Sequence, residues 1–385
     1  MGISLWLMAS SCYAHEAWHW HGYVSQGLIR AQDSNFVNNS GDWSSELTEF
    51  GMNASWQLQP SVRIAGQLMY LDGGQRYQKG HRIDYLFVNW TAHSSLDWQF
   101  DILVGRFKNM HWLYSSTRDV AMTRPLIVLP QSIYFDAFRD IAVGSDGVAI
   151  QSNHTGSFGE LELNWSLGAT PVSREQSRLV LSRQITGETE QDYVQQLSAF
   201  WRPVRSAAQY GISLLDSDFN YRADATDPYV HAWFNVQRFM LNWRYSAERF
   251  ELSSELMQER IDATGFLAPN FKRVQFAQGA YLLARYQWTP QHAFIASIDK
   301  FYANKDDRGG RLLPLQSAGL IAPFFGYQTD LAVAWSYDIQ KNLRLKAEMH
   351  WIEGTGRLGP NVVPDIAINR SRQHHIMALQ LMYWF

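Results

Sequence analysis

The chain has 385 residues, of which 46% are apolar and only 18% charged, with a formal charge of −3. A charged share below the usual quarter or so, balanced near neutrality, excludes a generally basic, nucleic-acid-binding surface. The 16 Trp, 18 Tyr and 21 Phe bring aromatics to 14%, an enrichment expected where amphipathic rings meet a wet boundary.

The opening "MGISLWLMASSCYAHEAW" reads as the apolar region and small-residue cleavage site of an export signal cut after Ala14, although a basic leading region is missing. An ordinary buried N-terminal segment is the rival, and a lipidated Cys12 a weaker one, because "ASSC" lacks the usual leucine. Cys12 is the only cysteine, so the mature chain 15–385 would carry no disulfide. His15, His19 and His21 beside Glu16 have spacings that could bind a metal, but a polar start to the first strand is the plainer reading. No metal or cofactor is expected. Beyond this point no stretch approaches the roughly 18 uncharged apolar residues of a membrane helix.

A two-residue repeat then runs through the chain. Phe50, Met52, Ala54, Trp56 and Leu58 share one face; Glu49, Gly51, Asn53, Ser55 and Gln57 share the other. Trp98, Phe100, Ile102 and Val104 oppose Asp97, Gln99 and Asp101, and Leu343, Leu345, Ala347, Met349 and Trp351 oppose Arg344, Lys346, Glu348 and His350. A helix would scatter those charges around its surface, whereas a strand sorts them onto one face. Such segments recur near 17–30, 46–58, 61–72, 82–92, 96–106, 146–153, 159–168, 192–202, 207–216, 229–245, 249–260, 275–288, 291–302, 328–338, 341–353 and 373–385. That predicts about 16 strands, with 18 allowed if 229–245 hides a hairpin. Many approach the nine to eleven or so residues of a tilted bilayer-crossing strand. No helical run stands out.

The connections alternate short and long. Short ones lie at "QPS", "HSS", "HTGSFG", "RPVRS", "SAER", "TPQ" and "IQKN"; long ones near 31–45, 73–81, 107–145, 169–191, 217–228, 261–274, 303–327 and 354–372. A soluble sandwich has no reason for this asymmetry, but a membrane barrel does, with tight periplasmic turns and long extracellular loops. The ionised face is costly to bury unpaired, so it is expected to line a wet lumen while the aromatic face meets lipid. Closing the sheet pairs every ladder group without an edge in hydrocarbon. The expected fold is therefore all-β: a single transmembrane antiparallel β-barrel whose last segment pairs with its first.

On these features the chain resembles the Gram-negative outer-membrane porins over its whole mature length. In that family a final alternating strand ending in Phe is the recognition signal for the barrel-assembly machinery. "MALQLMYWF" matches it through Leu379, Leu381, Tyr383 and Phe385. The resemblance implies residence in outer-membrane lipid and passive diffusion of small hydrophilic solutes, and porins of this architecture are often homotrimers.

The longest connection, 107–145, follows the fifth strand, where sixteen-stranded porins fold a loop into the lumen. Leu126, Ile127, Val128, Leu129, Ile133, Tyr134 and Phe135 are odd for a freely waving loop, and Pro125 and Pro130 stiffen it. An inward constriction is expected, with a lid or a further strand pair as rivals. Arg106, Lys108, Arg118, Arg124 and Arg139 are its bases, and Asp119, Asp136, Asp140 and Asp146 its acids. In the family, loop carboxylates face a basic ladder across the pore. Strand parity offers Arg63, Arg244, Arg344 and Lys346 for that wall, and rings of charge select ions. A slight basic excess leans to anions; each Arg taken alone could equally be an ordinary salt bridge or exposed charge. A barrel enzyme of phospholipase or protease type would need a Ser, His or carboxylate constellation, and no GxSxG, HExxH, P-loop or GxGxxG occurs in a suitable context. His374 and His375 would point to opposite faces. A scaffold barrel would need a wider lumen. No catalytic residue and no nucleic-acid partner are expected.

Overall fold

Sixteen strands form among the residues that the computed structural model describes, namely 18–115, 117–142, 144–360 and 369–385. The export signal with its cut after Ala14, Cys12, and His15 with Glu16 lie outside them. The strands are β1 (Trp18–Gln32), β2 (Thr48–Gln59), β3 (Val62–Asp72), β4 (Gly80–Ser94), β5 (Trp98–Lys108), β6 (Gly144–Gly156), β7 (Gly159–Ala169) and β8 (Glu188–Arg202), then β9 (Ala208–Arg222), β10 (Ala232–Ser246), β11 (Phe250–Gly265), β12 (Lys272–Gln287), β13 (His292–Tyr302), β14 (Tyr327–Gln340), β15 (Leu343–Glu353) and β16 (Gln373–Trp384). Each pairs antiparallel with the next, and β1 closes on β16. The 229–245 run is one strand, so the eighteen-strand alternative is set aside.

Closure happens at the hydrophobic tail. Tyr23 faces Trp384 and Gln32 faces His375 across the seam. Beyond it, Phe385 N–H donates to Gly22 O at 3.0 Å and Gly22 N–H donates back to Phe385 O at 3.1 Å. A Cβ on Gly22 would sit 2.5 Å from the Phe385 ring, so a larger residue there would push that last aromatic aside. The chain ends greasy because its end is a wall.

Alternation assigns the two faces as the physics requires. Val24, Leu28, Leu379, Leu381 and Tyr383 are exposed outward, while Ser25, Glu348, His350 and Gln380 are buried inward. Aromatics collect at the short-turn end, where Trp18 stacks on Trp56 at 5.4 Å and Trp335 on Tyr337 at 5.7 Å. Amphipathic rings suit an apolar–aqueous interface.

Toward the long-loop end of β8 to β11 the alternation reverses. Gln195, Asp216, Asp218, Gln237 and Arg260 share the outward parity of Leu197, Leu214, Phe239 and Leu256; Val194, Leu215, Phe219, Phe234, Val236 and Ile261 take the inward one. A strand in water hides apolar residues inside, as any soluble barrel does. Three of these strands, β8, β9 and β11, therefore run 15 or 16 residues, longer than expected from apolar-out matching alone, while β10 at 15 residues falls within its expected length. The connection expected at 261–274 shrinks accordingly to 266–271.

Short helices occupy the long connections: α1 (Arg139–Ala142), α2 (Arg174–Val180) and α3 (Leu312–Gln316). Ser173 caps α2, its hydroxyl accepting Gln176 N–H at 3.0 Å. None is long and apolar enough to cross a membrane among the described residues.

Candidate pore constriction

Segment 109–142 leaves β5 and touches inward-facing groups on strands around most of the ring. Its apolar residues need an apolar wall and have one: Trp112, Tyr114, Leu129, Ile133 and Tyr134 pack on Met240, Met257, Tyr281, Leu283, Ile295 and Phe301. On the other side Ile127 and Val128 join Ile29, Ile352, Ile376 and Ala378. The expectation of a wholly polar lumen is corrected here, because the loop that fills the middle turns part of the wall into dry core. Each such buried side chain contributes about 1.5–3 kcal/mol.

Wall carboxylates fix the loop backbone, which has no ladder of its own to satisfy it. Glu348 accepts Ile127 N–H at 2.6 Å and Val128 N–H at 2.9 Å. Asp299 accepts Ser132 N–H at 3.0 Å. Glu255 accepts Leu113 N–H at 3.0 Å, the Tyr281 hydroxyl at 2.9 Å and the Tyr134 hydroxyl. Gly279 makes room on β12, since a Cβ there would lie 2.9 Å from the Ser132 carbonyl oxygen.

Charged side chains then lock the loop to the barrel and to itself. Arg124 donates one nitrogen to both oxygens of Glu49, at 2.7 and 2.8 Å. Asp136 is paired by Arg76 at 2.8 Å and Arg118 at 3.3 Å. Asp119 takes Arg139 at 2.5 Å and Lys108, which also reaches Asp84; Asp140 takes Arg82. Arg139 also lies over the Tyr77 ring at 4.6 Å. Burial by itself would raise the pKa of Asp119, but Lys108 and Arg139 outweigh it and hold the carboxyl well below its usual range. Asp136 is likewise held low, Arg76 and Arg118 overcoming the cost of burial.

The expected residues divide sharply. Lys108, Arg118, Asp119, Arg124, Asp136, Arg139 and Asp140 are all paired with opposite charges of the loop or of its surroundings. Arg106 is not among them, which corrects its placement at a constriction. It shares the outward parity of Val104 and binds Asp146 on β6 through two 2.7 Å bonds. Arg63 is exposed in β3, opposite Gln57 and Asn89. The basic ladder is also different from expectation. Lys346 donates to the Arg124 carbonyl and Arg344 to Met122 O at 2.9 Å, so both hold loop backbone instead of confronting loop carboxylates. Arg344 additionally pairs Asp338. Arg244 lies over the Tyr114 ring at 5.1 Å, with Glu251 at 3.9 Å.

Sequence reasoning missed Glu49, Asp299 and the basic partners Arg76 and Arg82. Inward parity marks Glu49 and Asp299 as buried acids, yet their partners lie 75 and 167 residues away. His350 faces carboxylates at both ring nitrogens, Asp330 at 2.8 Å and Glu348 at 2.5 Å, leaving neither nitrogen free to act as a base. His374 is buried and His375 only half-buried, on opposite faces of β16. Among the described residues no group of three or more His, Cys, Asp or Glu is arranged to hold a metal.

No protein-family model matches the chain. No curated protein matches it either. Solved structures do match in fold. OmpT of Vibrio cholerae, expressed in the outer membrane, is 10% identical with a TM-score of 0.57, the match covering 96% of this chain and 97% of that one. An anion-selective porin from Comamonas acidovorans is 8% identical over 96% and 99% of the two chains, at a TM-score of 0.57. OprB of Pseudomonas putida is 10% identical over 99% and 97%, at 0.58. At such identities what is shared is the architecture: this chain has the closed sixteen-stranded antiparallel barrel of the outer-membrane porins.

Proposed function

We propose that the protein is a passive diffusion channel of a Gram-negative outer membrane, carrying small hydrophilic solutes past an inward-folded loop. The observation that carries this reading is the set of bonds from Glu49, Glu255, Asp299 and Glu348 to segment 109–142, which narrows the lumen without any strand leaving the ring. Selection is by size and charge, with no covalent step. Within the loop network six cations, Arg76, Arg82, Lys108, Arg118, Arg124 and Arg139, meet five carboxylates, Glu49, Asp84, Asp119, Asp136 and Asp140. The ground for proposing a mild lean toward anions is the slight basic excess of the residues at the loop itself, Lys108, Arg118, Arg124 and Arg139 against Asp119, Asp136 and Asp140. A homotrimer is the proposed assembly, OmpT of Vibrio cholerae having been solved in a trimer form.

Planar-bilayer recording tests the proposal. A steady conductance is expected, with a small reversal potential of anion-selective sign in a salt gradient. Deleting residues 118–140 should enlarge the conductance and weaken discrimination. Silence of the wild-type protein, together with hydrolysis of lipid or peptide, would replace the channel with a barrel enzyme.

A further inference from the structure

Where β8 to β11 turn their apolar residues inward, the wall and the loop do not meet. They enclose a chamber of about 290 Å³, near the lower end of small-molecule sites at roughly 300 Å³. Phe135 and Phe138 from the loop face Val194, Leu215, Phe234 and Val236 from the wall. A path for purely hydrophilic solutes has no use for such a surface.

The polar groups around the chamber are unusual in what they lack. Gln196 and Trp112 are 4% and 3% exposed, yet both amide atoms of Gln196 and the indole Nε1 of Trp112 have no hydrogen-bond partner. Three guanidiniums line the space with one carboxylate. Arg238 is matched by Glu259, and Arg118 by Asp136. Arg357 has no carboxylate within ion-pair distance among the described residues, Glu259 and Asp299 acting on it only from farther off, and its Nε is unpaired. Its guanidinium lies 3.7 Å over the Phe301 ring and 4.7 Å from that of Phe135, held by one bond to Ser132 O at 2.9 Å. A buried cation with a free donor beside unsatisfied amide and indole groups, all bordering apolar walls, is a set of complements to a molecule with an apolar body and an anionic end.

We propose that the chamber between segment 109–142 and β8–β11 is a binding site for a small amphipathic carboxylate, its aromatic or alkyl body among Phe135, Phe138, Leu215 and Val236 and its carboxylate on Arg357. The inference rests on the channel reading and narrows it, naming organic anions of one-ring size as solutes that dwell in the pore. Dwell follows from the apolar contacts, and the sign of the charge from Arg357.

The test uses the full-length protein and 4-phenylbutyrate as probe, read in two ways. Isothermal titration on detergent-solubilised protein measures binding without requiring conduction; current interruptions in a planar bilayer measure dwell in the pore. Binding is expected for 4-phenylbutyrate and at least tenfold weaker for acetate, which lacks the body, and for 4-phenylbutanol, which lacks the charge. Arg357→Gln should weaken 4-phenylbutyrate at least tenfold and leave 4-phenylbutanol unchanged. Arg357→Lys should retain part of the preference, and Leu215→Asn should weaken both probes while its barrel remains folded. Equal binding of acid and alcohol, or an Arg357→Gln variant indistinguishable from wild type, overturns the chamber assignment. A wild-type protein that binds the probe in titration but passes no current overturns the channel reading and spares the site.

Discussion

A single carboxylate on a strand can replace a whole hydrogen-bond ladder when it points at a loop that has none. Glu348 serves two consecutive N–H groups and also His350. Glu348→Ala therefore strands two buried donors, at about 1–3 kcal/mol each. The expected outcome is faster amide exchange across 124–134 by mass spectrometry, with exchange in β14 to β16 unchanged; protection across 124–134 equal to wild type would mean the carboxylate is idle. Glu49→Gln removes one partner of a buried pair, a loss of about 3–5 kcal/mol from the latch when fully desolvated. Acid probes the same network. Asp119 and Asp136 are held below the ordinary Asp value of 3.8, so their pairing is complete above that value and is lost as pH falls through the lower values they have when folded. Acidification through those lowered values should make the channel current larger and noisier. Noise that begins near pH 6 would assign gating to other groups.

The decisive element is the connection after β5, and β12 is the strand that makes room for it. Gly279 lets the Ser132 carbonyl approach the wall, with Asp299 on the next strand receiving the same residue's N–H. Gly279→Leu inserts a side chain where backbone must lie, an overpacking cost of about 1–3 kcal/mol. The expected result is a displaced loop with higher or fluctuating conductance and a barrel that keeps its resistance to heat in detergent, since the β11–β12–β13 ladders are untouched. Wild-type conductance in that variant would show that the loop tolerates the intrusion. Strand existence was legible in the two-step repeat because each strand's burial is decided by its own alternate residues. Strand length on β8, β9 and β11 was not, because the repeat keeps its period and only exchanges faces toward the long-loop end. Asp216 beside Leu214 reads as the end of a strand until the register with Gln237 is seen.

At the scale of the molecule, closure is the property on which everything else depends. The Phe385–Gly22 bonds and the β1–β16 register remove the only two edges the sheet would otherwise present. Truncating Phe385 should slow assembly and lower the fraction of heat-modifiable barrel on a cold denaturing gel, with a milder effect for Phe385→Tyr. Full assembly of the truncated chain would assign the seam to β1 and β16 alone. Seven of the loop and strand-end charges expected at the constriction are paired there, while Arg106 and Arg63 are not. The difference is physical: Arg106 is committed by strand parity to the outer face, and Arg63, although of inward parity, stands at the short-turn end of β3.

By itself the sequence determined the architecture: sixteen alternating segments, unequal connections and an aromatic end leave a closed barrel as the arrangement that hides every backbone group and sorts every charge. That is local information, repeated. Only the tertiary structure decided which wall residue meets which loop residue, that part of the interior is dry, and that a chamber lined by Arg357 opens beside the loop. Those contacts join residues from 58 to 225 positions apart, and nothing in a local pattern records which distant partner will complete a charge or fill a void.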